Sequence, residues 1–425
     1  MDLSRIKYPG LEEVVLPKMV RIRQDIPAPS LDDVRCKTAR ELRQKGLGER
    51  INEDDRVAIA VGSRGIDGLQ QVIRSLVTEV KDMGGRPFIL PAMGSHGGGS
   101  ARGQQELLES YGLSEEVVGA PINSSLEVVF LGRTENGYPL YFDALAIKAD
   151  ALIVVNRVKV HTDFSGVVES GLLKMLAIGL GNCKGANKLH AYGFDSFSQL
   201  IPEVGESILK QAPVVMGLAL VENGFHQICR VEAVLPQYFL EREQYLLKLQ
   251  KQLMPSLPFS ALDILFVEEM GKDISGSGID PNIVGRAKKI DIQIEIIIVS
   301  RLTAASKGNA SGMGMVDIIT RDFFESIDFS VTYTNVLTSG LLWDSRMPMV
   351  VKDDEQALRI ALNFLNIKGL GVRMARIKNT SELSELDISE ALLPAAKSND
   401  GVLIDSQPFP LNFDDRGRLL DCRKK

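Results

Sequence analysis

The chain has 425 residues, with 49 Lys and Arg against 55 Asp and Glu and a net charge of −6. A hydrophobic share of 44% with 24% charged residues is too apolar for disorder, and the mild acidity excludes the basic face of a nucleic-acid binder. The four cysteines, Cys36, Cys183, Cys229 and Cys422, form no C-x-x-C pair, which excludes the usual zinc-ribbon and iron–sulfur spacings and fits reduced thiols.

The first residues, MDLSRIKYPGLEE, are charged from the second position and lack an apolar core, so no signal peptide is expected. No stretch approaches the roughly 18 to 20 uncharged apolar residues of a membrane helix. The expectation is a cytoplasmic protein of two or three domains, with neither nucleic acid nor membrane as partner.

In chain order, residues 57–61 (VAIAV) predict a buried strand closed by glycine. Residues 67–83 follow with a helical stripe of Leu69, Val72, Ile73, Leu76, Val77 and Val80, ended by Gly84-Gly85. A strand at 87–90, a glycine-rich loop, a helix at 101–111 and strands at 126–131 and 151–155 continue the series. Alternation of this kind predicts mostly parallel sheets in an α/β fold. A helix at 196–211, a strand at 214–221 and a helix at 238–252 come next. The segment Met254-Pro255-Ser256-Leu257-Pro258 then breaks regular structure, because each proline lacks a donor and restrains its neighbour.

The expected domains are therefore 1–255 and 256–395, with a tail at 396–425 packing back on the first domain. The second set has strands at 262–268 and 291–299 and helices at 316–326, 354–365 and near 381–393. Two α/β domains with an interdomain active-site cleft are the expected architecture.

Ligands of parallel sheets gather where strands end, because free amides and helix N-termini point there. Three such places stand out. Gly62-Ser63-Arg64-Gly65 follows the first strand, and Arg64 suits a carboxylate or phosphate, although a surface arginine at a turn would look the same. Met93-Gly94-Ser95-His96-Gly97-Gly98-Gly99-Ser100 follows the next strand. It is neither a Walker A loop nor G-x-G-x-x-G, and it exposes His96, one of only four histidines. The third place is residues 156–190, where His161, Lys174, Lys184 and His190 fall within about 30 residues among many glycines. Ser170-Gly171-Leu172-Leu173-Lys174 would expose amides ahead of a helix that carries a lysine, a layout suited to an anionic cofactor. Leu172, Leu173, Leu176 and Ile178 read as core, Lys159, Lys184 and Lys188 as solvated, and His226 as structural.

These elements in this order (a strand then S-R, a strand then a G-x-H loop, a strand then a histidine, then S-G-x-x-K and a last histidine) resemble the nickel-pincer lactate racemase superfamily of 2-hydroxyacid racemases and epimerases. The resemblance implies a nickel-pincer nucleotide as cofactor, attached at Lys174, with His190 as the nickel ligand sixteen residues later. It further implies His96 and His161 as general acid and base, and Arg64 as the residue holding the substrate carboxylate. A carboxylate-binding lysine of the second domain would be Lys272, with Lys307 competing for the place. The implied activity is racemisation or epimerisation of a 2-hydroxy acid or sugar acid, an EC 5.1.2-like isomerase. Its partners would be that substrate and the enzymes that make the cofactor, and the sequence leaves room for a homo-oligomer.

The sequence departs from lactate racemase at Val61, where an acidic residue usually precedes the arginine, and at Leu172-Leu173, where the type member has smaller residues. The gap from His161 to Lys174 is also longer. These departures imply a divergent branch with another substrate. Two other readings stay open: a binding protein for a nucleotide or anionic metabolite without chemistry, and a metal-free two-base epimerase.

Overall fold

The structure, a computed structural model, describes residues 10–288, 290–366 and 371–420. The chain divides into two compact units. One spans Pro27–Met254, and the other joins the segment ending at Ile26 to the chain from Pro255 onward. Both are α/β.

The first unit is built on a five-stranded sheet in the order Arg86–Pro91, Arg56–Val61, Ala151–Arg157, Val214–Glu222, Ile228–Val234. The first four strands run parallel and the last is antiparallel. Their apolar runs are buried because layers cover both faces. Ile59, Val61 and Ile153 pack with helix Leu69–Asp82, whose stripe Leu69, Val72, Ile73, Leu76, Val77 and Val80 is buried. Ala58, Ala60 and Val154 pack on the other face with Leu172, Leu173, Leu176 and Phe197.

The strand expected at 126–131 is found at Val128–Arg133, outside the parallel sheet. It pairs antiparallel with Pro139–Asp143 as a separate ribbon. Phe130 is about half exposed there, so this strand lacks the two-sided burial of a parallel core strand.

The second unit has eight strands in the order Met349–Val351, Ile318–Thr320, Gln293–Leu302, Ala261–Met270, Met374–Ile377, Glu385–Ser389, Met19–Gln24, Val402–Ile404. The first five are parallel and the remainder antiparallel. Strand Met19–Gln24 corrects the expected division, because residues 10–26 belong with the second unit rather than the first. The physical reason is pairing and burial. This strand lies between Glu385–Ser389 and Val402–Ile404, and Met19, Val20 and Ile22 are fully buried.

The tail is corrected for the same reason. Val402–Ile404 adds to that edge, Asp405 pairs with Arg23, and the amide of Phe409 donates to the carbonyl of Met19, so the tail packs on the second unit. The helix expected at 316–326 is a short strand, Ile318–Thr320, followed by helix Arg321–Glu325. Three buried residues in parallel pairing leave too short an apolar run to announce a strand. Near 381–393 the chain forms strand Glu385–Ser389, with Leu386 and Ile388 buried on one face and Asp387 ion-paired with Arg21 on the other. Among the described residues no helix is long and apolar enough to cross a membrane.

Ile22 is fully buried in the strand that bridges the two ends of the chain. Ile22→Ala is expected to cost about 2–5 kcal/mol, measured as a fall in the guanidinium unfolding midpoint of the whole chain.

Candidate functional site

Three neighbouring strands of the first unit, Arg86–Pro91, Arg56–Val61 and Ala151–Arg157, end at the same edge of the sheet. The middle strand is where successive connections leave in opposite directions, the position at which open α/β sheets bind ligands. The loops leaving these ends carry Arg64, His96 and His161.

Each loop is held by the backbone chemistry around it. The Arg64 turn is anchored by Tyr111, whose hydroxyl donates to the Ser63 carbonyl at 2.8 Å. The His96 loop docks on the segment after Lys174, since the Gly94 amide donates to the Gly179 carbonyl at 3.0 Å and Gln104 Nε2 donates to the Gly94 carbonyl at 3.0 Å. A side chain at Gly179 would stand 2.7 Å from the Ala92 carbonyl, so only glycine permits this approach. The segment 158–170 is tied by paired amide–carbonyl bonds between Lys159 and Ser170.

Lys174 closes a short helical turn, Leu172–Lys174, and continues into a π-helical turn, Met175–Gly179, before helix Asn182–His190. Wide turns of this kind recur at functional sites. His190 ends that last helix.

The ring nitrogens are sorted by their partners. His96 Nδ1 lies 2.9 Å from the Met93 carbonyl and His190 Nδ1 lies 2.7 Å from the Ala186 carbonyl. A carbonyl only accepts, so both rings carry their proton on Nδ1 and present a lone pair at Nε2. In His161 the order is reversed. The Asp163 amide donates to His161 Nδ1 at 3.0 Å, which leaves the proton of the neutral ring on Nε2. These tautomers are assigned from the hydrogen-bond network.

These side chains stand within one another's electrostatic field. Desolvation, with Arg64, Lys174 and His190 adding to it, pushes the His96 ring down to about 4 against the opposing Met93 bond. Solvent still reaches that ring, so part of its hydration survives. The downward direction, which keeps the ring neutral at pH 7, is what the chemistry uses. Desolvation, with Arg64 adding to it, brings the Lys174 amine down to about 8 against the opposing Asp163 and Glu169. His190 is also lowered, first by desolvation and then by Lys174. Arg64 is drawn down by desolvation and by Arg157, with Tyr111 and Asp163 opposing, and a guanidinium stays charged regardless. Among the described residues, Arg64, the Lys174 amine and the Nε2 atoms of His96 and His190 have no hydrogen bond or ion pair. Arg157, in contrast, is neutralised by Glu222 at 2.5 Å.

Three phenylalanines line the cluster. The His161 ring lies 4.5 Å from that of Phe164 and 5.9 Å from that of Phe194, and the His190 ring lies 5.6 Å from Phe194 and 5.2 Å from Phe197. The Lys174 amine sits 5.9 Å over the Phe164 ring, a weak cation–π contact.

Arg64, His96, His161, Lys174 and His190 are thus brought together. Lys184 instead covers the Tyr141 ring at 4.9 Å, and His226 forms a tight turn, its amide donating to the Asn223 carbonyl. Lys272 and Lys307 belong to the second unit. Lys272 Nζ donates to the Gly276 carbonyl at 2.5 Å within its own loop, and Lys307 is exposed in a left-handed turn.

Sequence reasoning missed the supports. Asp163 is the carboxylate that acts on Arg64, Lys174 and His190 together, and its place two residues after His161 is the one signal that could have shown it. Glu169, fully buried, accepts the His161 amide at 2.6 Å and the Lys251 ammonium at 2.9 Å. Gln250 accepts the Val160 amide at 3.1 Å, and Glu243 accepts the Leu173 amide at 2.9 Å.

The donor set bears on how a metal could be held. Among the described residues no three His, Cys, Asp or Glu side chains converge on a point. A single imidazole lone pair at His190 beside an unpaired amine fits a metal carried by an organic anion, with the amine holding the organic part.

Residues 30–196 match the family model described as the lactate racemase N-terminal domain, a stretch that contains all five clustered side chains. Among solved structures the chain is similar to the lactate racemase apoprotein from Thermoanaerobacterium thermosaccharolyticum, with a TM-score of 0.52 and 14% identity over 86% of this chain and 99% of that one. At this identity the likeness is one of fold. No curated protein sequence matches the chain.

Glu243 gives a test of the site's buried electrostatics. Burial pushes its carboxyl up to about 8 against the two amides that lower it. A raised folded value means that its stabilisation, relative to a neutral isostere, is fully present below the ordinary carboxyl range and is lost as pH rises through about 8. Unfolding free energies of wild type and Glu243→Gln should therefore diverge in favour of the variant between pH 5 and 9, as read by denaturant titration at each pH.

Proposed function

We propose that this chain belongs to the lactate racemase superfamily and is a racemase or epimerase of a 2-hydroxy acid that works with a nickel-pincer nucleotide, a reading supported by the family-model match over residues 30–196 and the shared fold. The observation that carries the reading is the convergence of an unpaired guanidinium, an unpaired amine and two free imidazole lone pairs in one place. Cations left without partners favour an anion.

The chemistry explains why such a set is needed. Inverting a carbon that bears hydrogen, hydroxyl and carboxylate requires the hydrogen to leave and return on the other face. As a proton it is held tightly, because an ionised carboxylate stabilises a neighbouring carbanion poorly. When bound, the nickel-pincer nucleotide supplies the hydride acceptor that no amino-acid side chain offers.

The chain's own residues do the rest. Arg64 holds the substrate carboxylate in a two-bonded grip, which leaves the remainder of the molecule free to turn. His96, neutral at pH 7 with its lone pair on Nε2, takes the hydroxyl proton. To return a proton to the keto oxygen from Nε2, His161 must be the imidazolium, with Nδ1 released from the Asp163 amide and its proton turned to the Asp163 carboxylate 3.6 Å away. It is left neutral, and for the opposite hand it takes the hydroxyl proton back on Nε2 while His96 gives its own. Acid–base groups poised in this way contribute on the order of 10² to 10⁴ in rate. Lys174, near half-neutral around pH 8, is the amine that holds the cofactor, and His190 Nε2 is the nickel ligand, neutral imidazole being suited to that metal.

The test is protein co-produced with the cofactor-making enzymes, assayed for nickel by mass spectrometry and for chiral interconversion over a panel of 2-hydroxy and sugar acids. His190→Ala should lose nickel and activity together, whereas His96→Ala should keep nickel and lose turnover by about 10²-fold or more. Full nickel content in His190→Ala would remove the assignment. Interconversion by protein made without those enzymes would favour the metal-free two-base reading.

A further inference from the structure

The amine assigned to the cofactor stands on a turn that is too short to hold itself. The α-helical part, Leu172–Lys174, has three residues, and no side chain from its own segment caps its first amides. The cap comes from 70 residues away. Glu243, on helix Phe239–Leu253, is fully buried, and its Oε1 accepts the Leu173 amide at 2.9 Å. The Leu172 amide also reaches the same carboxyl.

The fit is close. A Cβ at Gly171 would lie 2.6 Å from Glu243 Oε1, so the glycine of S-G-L-L-K is the clearance that lets the carboxyl reach these amides. Gly171 is extended, with φ 172, so the requirement here is space rather than a left-handed backbone. The carbonyl of Gly171 is held in turn by Asn156 Nδ2 at 3.1 Å. One face of helix Phe239–Leu253 therefore serves two site segments, with Glu243 holding the Lys174 turn and Gln250, two turns on, holding the Val160 amide just before His161.

We propose that Glu243 is a positioning residue for Lys174, fixing the 171–174 turn so that the amine stays within the field of Arg64 and Asp163. It touches neither substrate nor cofactor. Its effect runs through the turn geometry, because two amides satisfied by a buried acceptor cannot shift without losing it. Its consequence for catalysis rests on the reading of Lys174 as the cofactor-holding amine; its effect on the amine itself does not.

The experiment is labelling of the purified full-length chain, without cofactor, by isotopic acetic anhydride across pH 6–10. The extent of Lys174 acetylation is read by peptide mass spectrometry in wild type, Glu243→Ala, Glu243→Asp and Glu243→Gln. Wild type should label with a midpoint near 8, and Glu243→Ala with a midpoint raised by a pH unit or more, because the released amine regains water. Glu243→Asp keeps a carboxylate on a shorter stem and should shift the same way by less, which preserves the test if the alanine variant does not fold. Glu243→Gln, close in shape to the protonated acid, should restore the wild-type midpoint.

An unchanged midpoint in folded Glu243→Ala or Glu243→Asp overturns the proposal and leaves Glu243 an ordinary helix cap. A glutamine variant that shifts as far as alanine also overturns it, since charge and not geometry would then be the cause. If the midpoint moves in Glu243→Ala while racemase turnover of co-produced protein stays at the wild-type level, Glu243 keeps its role and Lys174 loses the cofactor.

Discussion

Positive charge gathered in one place, with too little negative charge to balance it, is the condition on which the candidate site depends. Arg64 and Lys174 sit within each other's field and within that of His96, and each lowers the proton affinity of the next. Asp163 is the main opposing carboxylate, since the fully buried Glu169 is already engaged by Lys251 and by the His161 amide. The same crowding keeps His96 neutral and leaves the Lys174 amine partly so. In the proposed function an anion would meet cations without partners and bases without protons.

That condition needs a rigid frame, and the frame is polar backbone chemistry rather than side-chain packing alone. The His96 loop is tied to Gly179, the Arg64 turn to Tyr111, the His161 amide to Glu169 and the Lys174 turn to Glu243. The Gly179, Tyr111 and Glu243 bonds join a site loop to another element, and the Glu169 bond closes the 158–170 segment on itself. Buried networks of this kind specify one geometry when every member is satisfied. The glycines at 171 and 179 are part of the frame because each removes a side chain from a place where a carboxyl or carbonyl must stand.

Much of this was legible in the sequence. The α/β class followed from short β-branched runs alternating with amphipathic stretches, and VAIAV and ALIVV lie side by side in the first sheet. Arg64, His96, His161, Lys174 and His190 could be singled out because strand ends, glycine clusters and scarce histidines are local signals. Glu169, Glu243 and Gln250 could not be read in the same way. Their partners are backbone amides 8 to 90 residues distant, and a glutamate in a Leu/Glu/Lys-rich helix looks solvated until the fold turns it inward. Strand Met19–Gln24 escaped for a related reason: its partners, Glu385–Ser389 and Val402–Ile404, lie at the other end of the chain, and no local pattern announces so distant a pairing. The short strand Ile318–Thr320 was lost to the helix that follows it, three residues being fewer than period-two alternation needs to show.

In the proposed reaction hydrogen leaves and returns at one carbon without passing through water, and His96 and His161 move only the hydroxyl proton. The direct measurement is the fate of a deuterium label. A hydroxy acid that the co-produced protein converts is supplied deuterated at C2 in ordinary water, and the product of opposite configuration is analysed by proton NMR and mass spectrometry. Retention of deuterium at C2 through many turnovers is the expected result. Loss of the label to solvent at the rate of inversion would mean that the histidines remove the C2 proton directly, and would contradict the account.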